Sequence, residues 1–339
     1  MSRRTLRWGV LGAARIAAQA VVPALQAAGD QVLVLGSRDP GRGRAAAAKM
    51  GIPMAVDGYQ GVLEQDLDAI YVPLPNALHR PWVLAALASG KHVLCEKPLG
   101  LSALEAEEMA AAAQRAQLVL AEAVMYRYHP RWQLVMDLVR RGELGAVRQL
   151  SGGFSFRLRP PPDVRWEGEL GGGALYDVGS YLINASRWVV GREPERAVAL
   201  ATLRRGVDES TSMLLEFAPG QGTAATLAAL SCGFATAGSE WLRIEGDQAA
   251  ISIPKPFTAW HDERPPILVD GPVGERRIDS PAADPYLEMV AAFGRAVEAL
   301  APVQTSAEDA AGTLAVVDAC RASWLSGTWQ DVDAHRLGA

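Results

Sequence analysis

Short apolar runs recur through the first half of the chain, each followed by a stretch whose apolar residues return at helical spacing. Leu6–Leu11, Gln31–Leu35, Asp68–Pro73, His92–Cys95 and Leu118–Ala121 read as strands. Brief apolar runs bounded by glycine or proline suit a sheet covered on both faces. The intervening stretches read as helices. Ile16–Ala28 places Ile16, Ala20, Pro23, Ala24 and Ala27 on roughly one face, and Gly41–Met50 carries four consecutive alanines. Pro81 opens a helix to Ala88, and Ser102 with Glu105 three residues on forms a capping box ahead of Ala116. Alternating strands and helices of this kind predict an α/β fold with a doubly wound parallel sheet.

Beyond Gly145 the period changes to two. Val147–Arg159, Ala197–Leu203, Thr211–Phe217, Thr223–Cys232 and Glu240–Ile244 read as strands separated by Gly, Pro and charged turns. This predicts a second, α+β domain built on a large, mostly antiparallel sheet with an open face. The division expected is 1–124 for nucleotide binding and 125–339 for substrate binding and oligomerisation. Along Thr223–Cys232 the alternate residues Thr223, Ala225, Leu227, Ala229 and Ser231 are small or apolar, and so is the complementary set. Neither face is then fully solvated, which implies a homodimer or a dimer of dimers packed through this sheet.

Composition narrows the classes. Hydrophobic residues make up 49% and charged residues 21%, with a net charge of −5 and no long basic run, which speaks against a nucleic-acid partner. The three cysteines and five histidines show no ligand spacing, so no metal and a reduced, cytoplasmic setting are expected. No apolar run reaches membrane-spanning length.

Candidate chemistry clusters where strands stop. His92–Gly100, HVLCEKPLG, ends a strand on Glu96 and Lys97 before Pro98, and ligands of open parallel sheets bind at such carboxyl ends. Gly12, Ala14, Arg15 and Ile16 form the turn from first strand into helix, where backbone N–H groups suit a pyrophosphate. Ala14 and Ala17 stand where the dinucleotide fingerprint has its second and third glycines. The second strand ends at Ser37 and Arg38, a hydroxyl and a guanidinium suited to a 2′-phosphate, so NADP is favoured with NAD possible. Asp39, next in line, competes by suiting the ribose hydroxyls of NAD. Leu74, Asn76 and His79 occupy the loop after the Asp68–Pro73 strand. Tyr126 and Arg127 offer a flat face and a directional cation to a sugar. Farther on, Arg165 and Trp166 precede the run Gly171–Gly173, which allows close backbone approach to a ligand, and Asp177 and Tyr181 follow four residues apart on one helix face.

The strand-Glu-Lys-Pro sequence, the N-terminal glycine turn, the Asn76–His79 loop and the Asp177/Tyr181 pair together resemble the Gfo/Idh/MocA family of nicotinamide-dependent sugar oxidoreductases. The likeness runs from Trp8 to about Asp331. Many members carry histidine where this chain has Tyr181, and the tyrosine is similar to the branch of dihydrodiol dehydrogenases, NADP-dependent xylose dehydrogenases and deoxysugar ketoreductases. The resemblance implies hydride transfer between the nicotinamide and a hydroxyl or carbonyl carbon of a sugar. It makes Lys97, Tyr181 and Asp177 catalytic, with Tyr181 handling the proton and Lys97 polarising the carbonyl. It also implies that the loops at Leu74–His79 and Glu96–Lys97 flank the nicotinamide ribose. Lys97, Tyr126, Arg127, Arg165, Asp177 and Tyr181 are then expected at the substrate, and Trp166 at the nicotinamide or the sugar unless it is an ordinary loop residue. A trans-dihydrodiol dehydrogenase is the alternative within the family, and a non-catalytic NADP-binding sensor the alternative outside enzymes.

Overall fold

The computed structural model describes residues 4–159, 163–220, 224–260 and 263–333. Within them the chain forms two compact units, one from residues 4–128 and 284–310, the other from the described residues of 129–283 and 311–333. No helix among the described residues is long and apolar enough to cross a membrane.

In the first unit six parallel strands, β1 (Arg7–Leu11), β2 (Gln31–Ser37), β3 (Met54–Asp57), β4 (Ala69–Val72), β5 (His92–Cys95) and β6 (Leu120–Glu122), are ordered β3-β2-β1-β4-β5-β6. The order reverses between β1 and β4, the place where ligands enter doubly wound sheets. β2 runs two residues farther than its apolar pattern, because Gly36 and Ser37 continue the ladder with Val56 and Asp57 of β3. A Cβ at Gly36 would lie 2.4 Å from the Gly58 carbonyl oxygen, so only glycine lets the strands close there. Trp8, fully buried, donates its indole N–H to Asp30 and packs on Phe293 of the helix Pro285–Ala299, ring centroids 5.1 Å apart.

The first helix does not start as a regular α-helix. Ala17–Val21 is a π turn continued by α-helix over Val22–Ala27. Pro23 has no N–H for the carbonyl four residues back, and the wider turn accommodates its ring. The segment after β4 is also more helical than expected, a 3₁₀ turn over Asn76–Leu78 leading directly into a helix from His79 to Ala88.

In the second unit β7 (Val147–Ser155), β8 (Arg196–Arg204), β9 (Val207–Phe217), β10 (Thr226–Gly233), β11 (Ser239–Gly246), β12 (Ala250–Pro254), β13 (Ile267–Gly271), β14 (Gly274–Ile278) and β15 (Gln330–Asp331) form one sheet. Its order is β14-β13-β12-β11-β7-β10-β9-β8-β15, antiparallel except for the β7–β10 pair. The expected start of the fourth strand, Thr223, lies outside the described residues, and β10 begins at Thr226. One face of the sheet buries Met213, Leu215, Phe217, Ala228 and Leu230. Against it lies the helix Ser180–Val190, preceded by a π turn over Leu175–Gly179. The expected single helix over Asp177–Val190 is therefore two windings, and the first ends at Gly179, where a Cβ would lie 3.0 Å from Cys232 Sγ.

The start of that π turn is held by Asp208 of β9. Its Oδ2 accepts the Leu175 N–H at 2.7 Å and the Thr211 hydroxyl at 2.8 Å. Burial pushes the Asp208 carboxyl up to about 6, against an ordinary 3.8, with the Thr211 and Leu175 hydrogen bonds pulling the other way. A folded-state value above the unfolded one means that the contribution to stability is complete at low pH and lost as pH rises through about 6. The gap corresponds to roughly 3 kcal/mol. Asp208→Asn keeps an acceptor for Leu175 and carries no charge. Its stability relative to the parent should therefore improve by that order between about pH 4 and pH 8, read by thermal unfolding at both ends. A difference constant with pH would show that the carboxyl does not titrate in this window.

Candidate active site

The residues expected at a nucleotide gather, in the first unit, at the carboxyl ends of β1, β2, β4 and β5. Gly12 closes β1 with φ +107°, a conformation open to glycine, and its N–H donates to the Gly36 carbonyl at 2.8 Å. A Cβ there would meet Leu74 Cδ2 at 2.9 Å, so the turns after β1 and β4 touch across the reversal point of the sheet. Ala14 and Ile16 are half-buried and Arg15 is exposed.

At the end of β2, Ser37 is buried and Arg38 and Asp39 are exposed. Asp39 is taken up by its own helix, since Oδ1 accepts the Arg42 N–H at 3.0 Å as the N-cap of Pro40–Met50. The Ser37 hydroxyl accepts the Asp39 N–H at 3.2 Å. Arg42, which the sequence reading does not single out, donates from Nη2 to the Ala13 carbonyl at 3.1 Å, bringing a second guanidinium to the glycine turn. Its spacing of four from Arg38 on a helix start was the readable signal. Two guanidiniums and a hydroxyl, with the neighbouring carboxylate spent on a cap, are donors that fit the 2′-phosphate of NADP.

In the Glu96–Leu99 turn, Glu96, Pro98 and Leu99 are each held by a side chain from elsewhere in the unit. The Tyr71 hydroxyl donates to Glu96 Oε1 at 2.6 Å, and burial, with the Glu96 charge, pushes that phenol well above its ordinary value, so it stays a donor. The Leu99 N–H donates to Glu122 Oε1 at 2.8 Å. His79, fully buried, has Nδ1 2.8 Å from the Pro98 carbonyl and Nε2 2.8 Å from the Leu74 carbonyl. Both neighbours are acceptors, so only the imidazolium makes both bonds at once. Burial is the larger effect and holds the imidazole below its ordinary value, the two carbonyls offsetting it only in part. His79 thus reaches the loops after β4 and β5 through their backbone. These tethers fix the backbone on both sides of Lys97, which is half-buried. The Lys97–Pro98 peptide bond is cis. Asn76 opens the 3₁₀ turn between Leu74 and His79.

Tyr126 and Arg127 lie in a 3₁₀ turn after β6, both buried, and Arg127 Nη1 pairs with Asp309 at 2.6 Å.

In the second unit Asp177, Tyr181 and Arg165 come together around the helix start. Asp177 sits in the π turn and accepts Arg165 Nε at 2.6 Å. The Asp177 charge is the main reason the Arg165 guanidinium is held above its usual value, and Asp163 adds a second contact. Tyr181, in the first turn of Ser180–Val190, is 8% exposed, its ring 5.3 Å from that of Phe257 and 5.8 Å from Phe154. Trp166 is buried, donates to the Arg159 carbonyl at 3.0 Å, and has Phe234 at its edge and the Arg204 guanidinium over its ring. Residues 160–162 of the preceding loop lie outside the described set.

The glycine run is used against the protein itself. A Cβ on Gly172 would lie 2.5 Å from the Arg165 carbonyl oxygen, and one on Gly173, at φ +116°, would lie 2.1 Å from Asp208 Oδ1. Close approach, expected to serve a ligand, here lets Asp208 and the Arg165 backbone clasp the helix start. Sequence reasoning missed Asp208 because a lone aspartate in a strand carries no pattern. The cysteines are inert: burial pushes Cys95 and Cys232 well above the ordinary thiol value and Cys320 up to about 12.

Comparison with known proteins agrees with this geometry. Residues 6–124 match the oxidoreductase family with an NAD-binding Rossmann fold, and residues 132–252 match the GFO/IDH/MocA C-terminal domain. The chain is 35% identical to D-xylose 1-dehydrogenase (NADP(+)) 2 of Haloferax volcanii over 97% of its own length and 100% of the relative's. It is 38% identical to dTDP-3,4-didehydro-2,6-dideoxy-alpha-D-glucose 3-reductase of Streptomyces violaceoruber, over 87% and 86%. The crystal structure of KijD10, a 3-ketoreductase from Actinomadura kijaniata in complex with NADP and TDP-benzene, superposes with a TM-score of 0.87 at 30% identity, covering 94% of this chain and 98% of that one. With both domains matched in order and full-length relatives above the threshold of common descent, the chain belongs to the Gfo/Idh/MocA family of oxidoreductases.

Proposed function

We propose that this chain is an NADP-dependent oxidoreductase acting on a hydroxyl or carbonyl carbon of a sugar or sugar derivative, through Lys97, Asp177 and Tyr181. The observation that carries the reading is the tethering of Glu96, Pro98 and Leu99 by Tyr71, His79 and Glu122. Three buried side chains are devoted to the residues around one lysine, as a catalytic cation requires. Kinship with enzymes named for a pentose and for a dideoxy sugar nucleotide supports the substrate class.

Gly12, Ala14, Arg15 and Ile16 hold the pyrophosphate, Ser37, Arg38 and Arg42 the 2′-phosphate, and Leu74, Asn76 and Glu96 the nicotinamide ribose. NADP(H), when bound, supplies or accepts the hydride. The Tyr181 phenol hydrogen-bonds the reacting oxygen and takes or gives its proton. Lys97 stabilises negative charge that develops on that oxygen. Asp177, with its charge balanced by Arg165, orients a neighbouring sugar hydroxyl.

A homodimer accompanies this reading. The register places Leu200, Leu214, Leu227 and Trp241 on one face of the second sheet, the face opposite Leu215 and Ala228. They are 74%, 45%, 53% and 42% exposed. Large apolar side chains exposed on one face of four strands are rare on a monomer.

Three outcomes test these statements. Tyr181→Phe should fold and bind NADPH as the parent does while losing a factor of ~10² to 10⁴ in turnover of an accepted aldose. A variant within about threefold of the parent would remove Tyr181 from the proton step. Arg38→Ala should raise KM for NADP by about tenfold to a hundredfold and leave NAD nearly unchanged. Equal loss of both cofactors, or a parent preferring NAD, would overturn the assignment of Arg38. Light scattering at micromolar concentration should give at least the dimer mass, and a monomer would refute the sheet-face interface.

A further inference from the structure

The turn Pro254–Thr258 that follows β12 is built almost entirely on side-chain partners. Arg131, 1% exposed on the helix Pro130–Arg140, donates Nη1 to the Lys255 carbonyl at 2.8 Å and Nη2 to the Pro254 carbonyl at 2.6 Å. A longer contact of 3.3 Å runs from Nη2 to the Pro266 carbonyl. The neighbouring Trp132 donates its indole N–H to the Pro256 carbonyl at 2.6 Å. From β11, Glu240 accepts the Phe257 N–H at 2.7 Å, the Thr258 N–H at 2.8 Å and the Thr258 hydroxyl. Lys255 takes φ +45°, an uncommon conformation for a residue with a long side chain. Three successive carbonyls and the two amides after them are thus claimed by one buried cation, one indole and one carboxylate. The buried Arg131 guanidinium spends both terminal nitrogens on carbonyls of this turn and of Pro266.

What the turn delivers is the ring of Phe257. It is 1% exposed and lies 5.3 Å from the Tyr181 ring, while stacking on Phe154 at 5.5 Å and 19°. Trp132, already a tether of the turn, stacks on Phe257 from farther off, at 6.4 Å and 19°. Phe154 is the second ring on Tyr181. Phe154 is carried by β7 and needs no further support, whereas Phe257 depends on the turn.

We infer that Phe257 is a positioning residue for Tyr181: its ring, tethered through Glu240, Arg131 and Trp132, sets the direction in which the phenol points. The inference rests on the reading of Tyr181 as the proton-handling group. A tyrosine has two side-chain torsions, and aromatic neighbours at these distances restrict both. Proton transfer is sensitive to placement, and a shift of about 1 Å costs on the order of a hundredfold in rate.

A double-mutant cycle separates this role from ordinary core packing. Phe257→Leu is made in the parent and in Tyr181→Phe, with turnover followed as NADP reduction at a saturating aldose chosen from a panel and NADPH affinity read by fluorescence titration. In the parent, kcat should fall by about tenfold or more while the NADPH dissociation constant stays within about twofold. In the Tyr181→Phe background the same change should lower the residual rate by less than about twofold, because the group that Phe257 positions is already gone. An equal loss in both backgrounds, or a Phe257→Leu kcat within about twofold of the parent, overturns the inference. If Tyr181→Phe alone keeps parental turnover, the proton assignment fails first, and that result is distinct from the others. Should Phe257→Leu not fold, Glu240→Gln keeps the ring, weakens only its tether and carries the same cycle with the same criteria.

Discussion

A single imidazole ring in the first unit shows the constraint on which both halves of the chain depend. Its two nitrogens lie 2.8 Å from the carbonyls of Leu74 and Pro98, so the segments that leave β4 and β5 are fastened to each other through His79 and not through regular hydrogen-bonded structure. Strand ends in a doubly wound sheet are where the chain must stop pairing and face a ligand, and buried backbone groups there still need partners. Side chains supply them. Glu122 takes the Leu99 amide in the first unit, as Asp208 takes the Leu175 amide in the second. In each case a buried ionisable group satisfies backbone that a helix or ladder cannot, and the segment so held carries the expected chemistry. The arrangement gives rigidity without occupying the surface that a ligand needs.

Charge is used with similar economy at the end of β2. Arg38, Asp39 and Arg42 lie within five residues, and a count of charges there leaves the cofactor undecided. Geometry separates them. The carboxylate faces the amide of Arg42, neutralising the helix start, while the Arg42 guanidinium turns toward the Ala13 carbonyl. The carboxylate is thereby spent on its own helix start, and both guanidiniums are left beside the glycine turn and the end of β2.

Much of this was legible in the sequence. Parallel strands buried on both faces leave apolar runs that need no alignment to see, and β1, β2, β4, β5 and β6 were all visible on that ground. Period-two stretches announced β7 to β11. The polar edge strand β14 was not legible, since Gly274–Ile278 with four exposed residues alternates nothing. Of the site, the turn Glu96–Pro98 and the pair Asp177 and Tyr181 stood out because each is a local pattern. What stayed hidden joins distant positions: Asp208 with Leu175, 33 residues apart, and Arg131 with Pro254, 123 apart. The glycine run shows the limit most clearly. Gly172 and Gly173 signalled a close approach correctly, but the groups that approach are Arg165 and Asp208, and no spacing rule names the partner of a glycine.

The surroundings of residue 181 also explain why a phenol suits this position where other members of the family carry an imidazole. Phe154 and Phe257 flank the side chain and leave it 8% exposed. An imidazole that cycles through its cationic form would lose solvation of that charge against two apolar rings, and burial disfavours the charged state. A phenol presents an apolar body to the rings and a single polar tip beyond them, and in its protonated form it carries no charge to desolvate. The aromatic walls and the tyrosine therefore suit each other, whereas a histidine at 181 would have to hold its cationic form against the same two apolar rings.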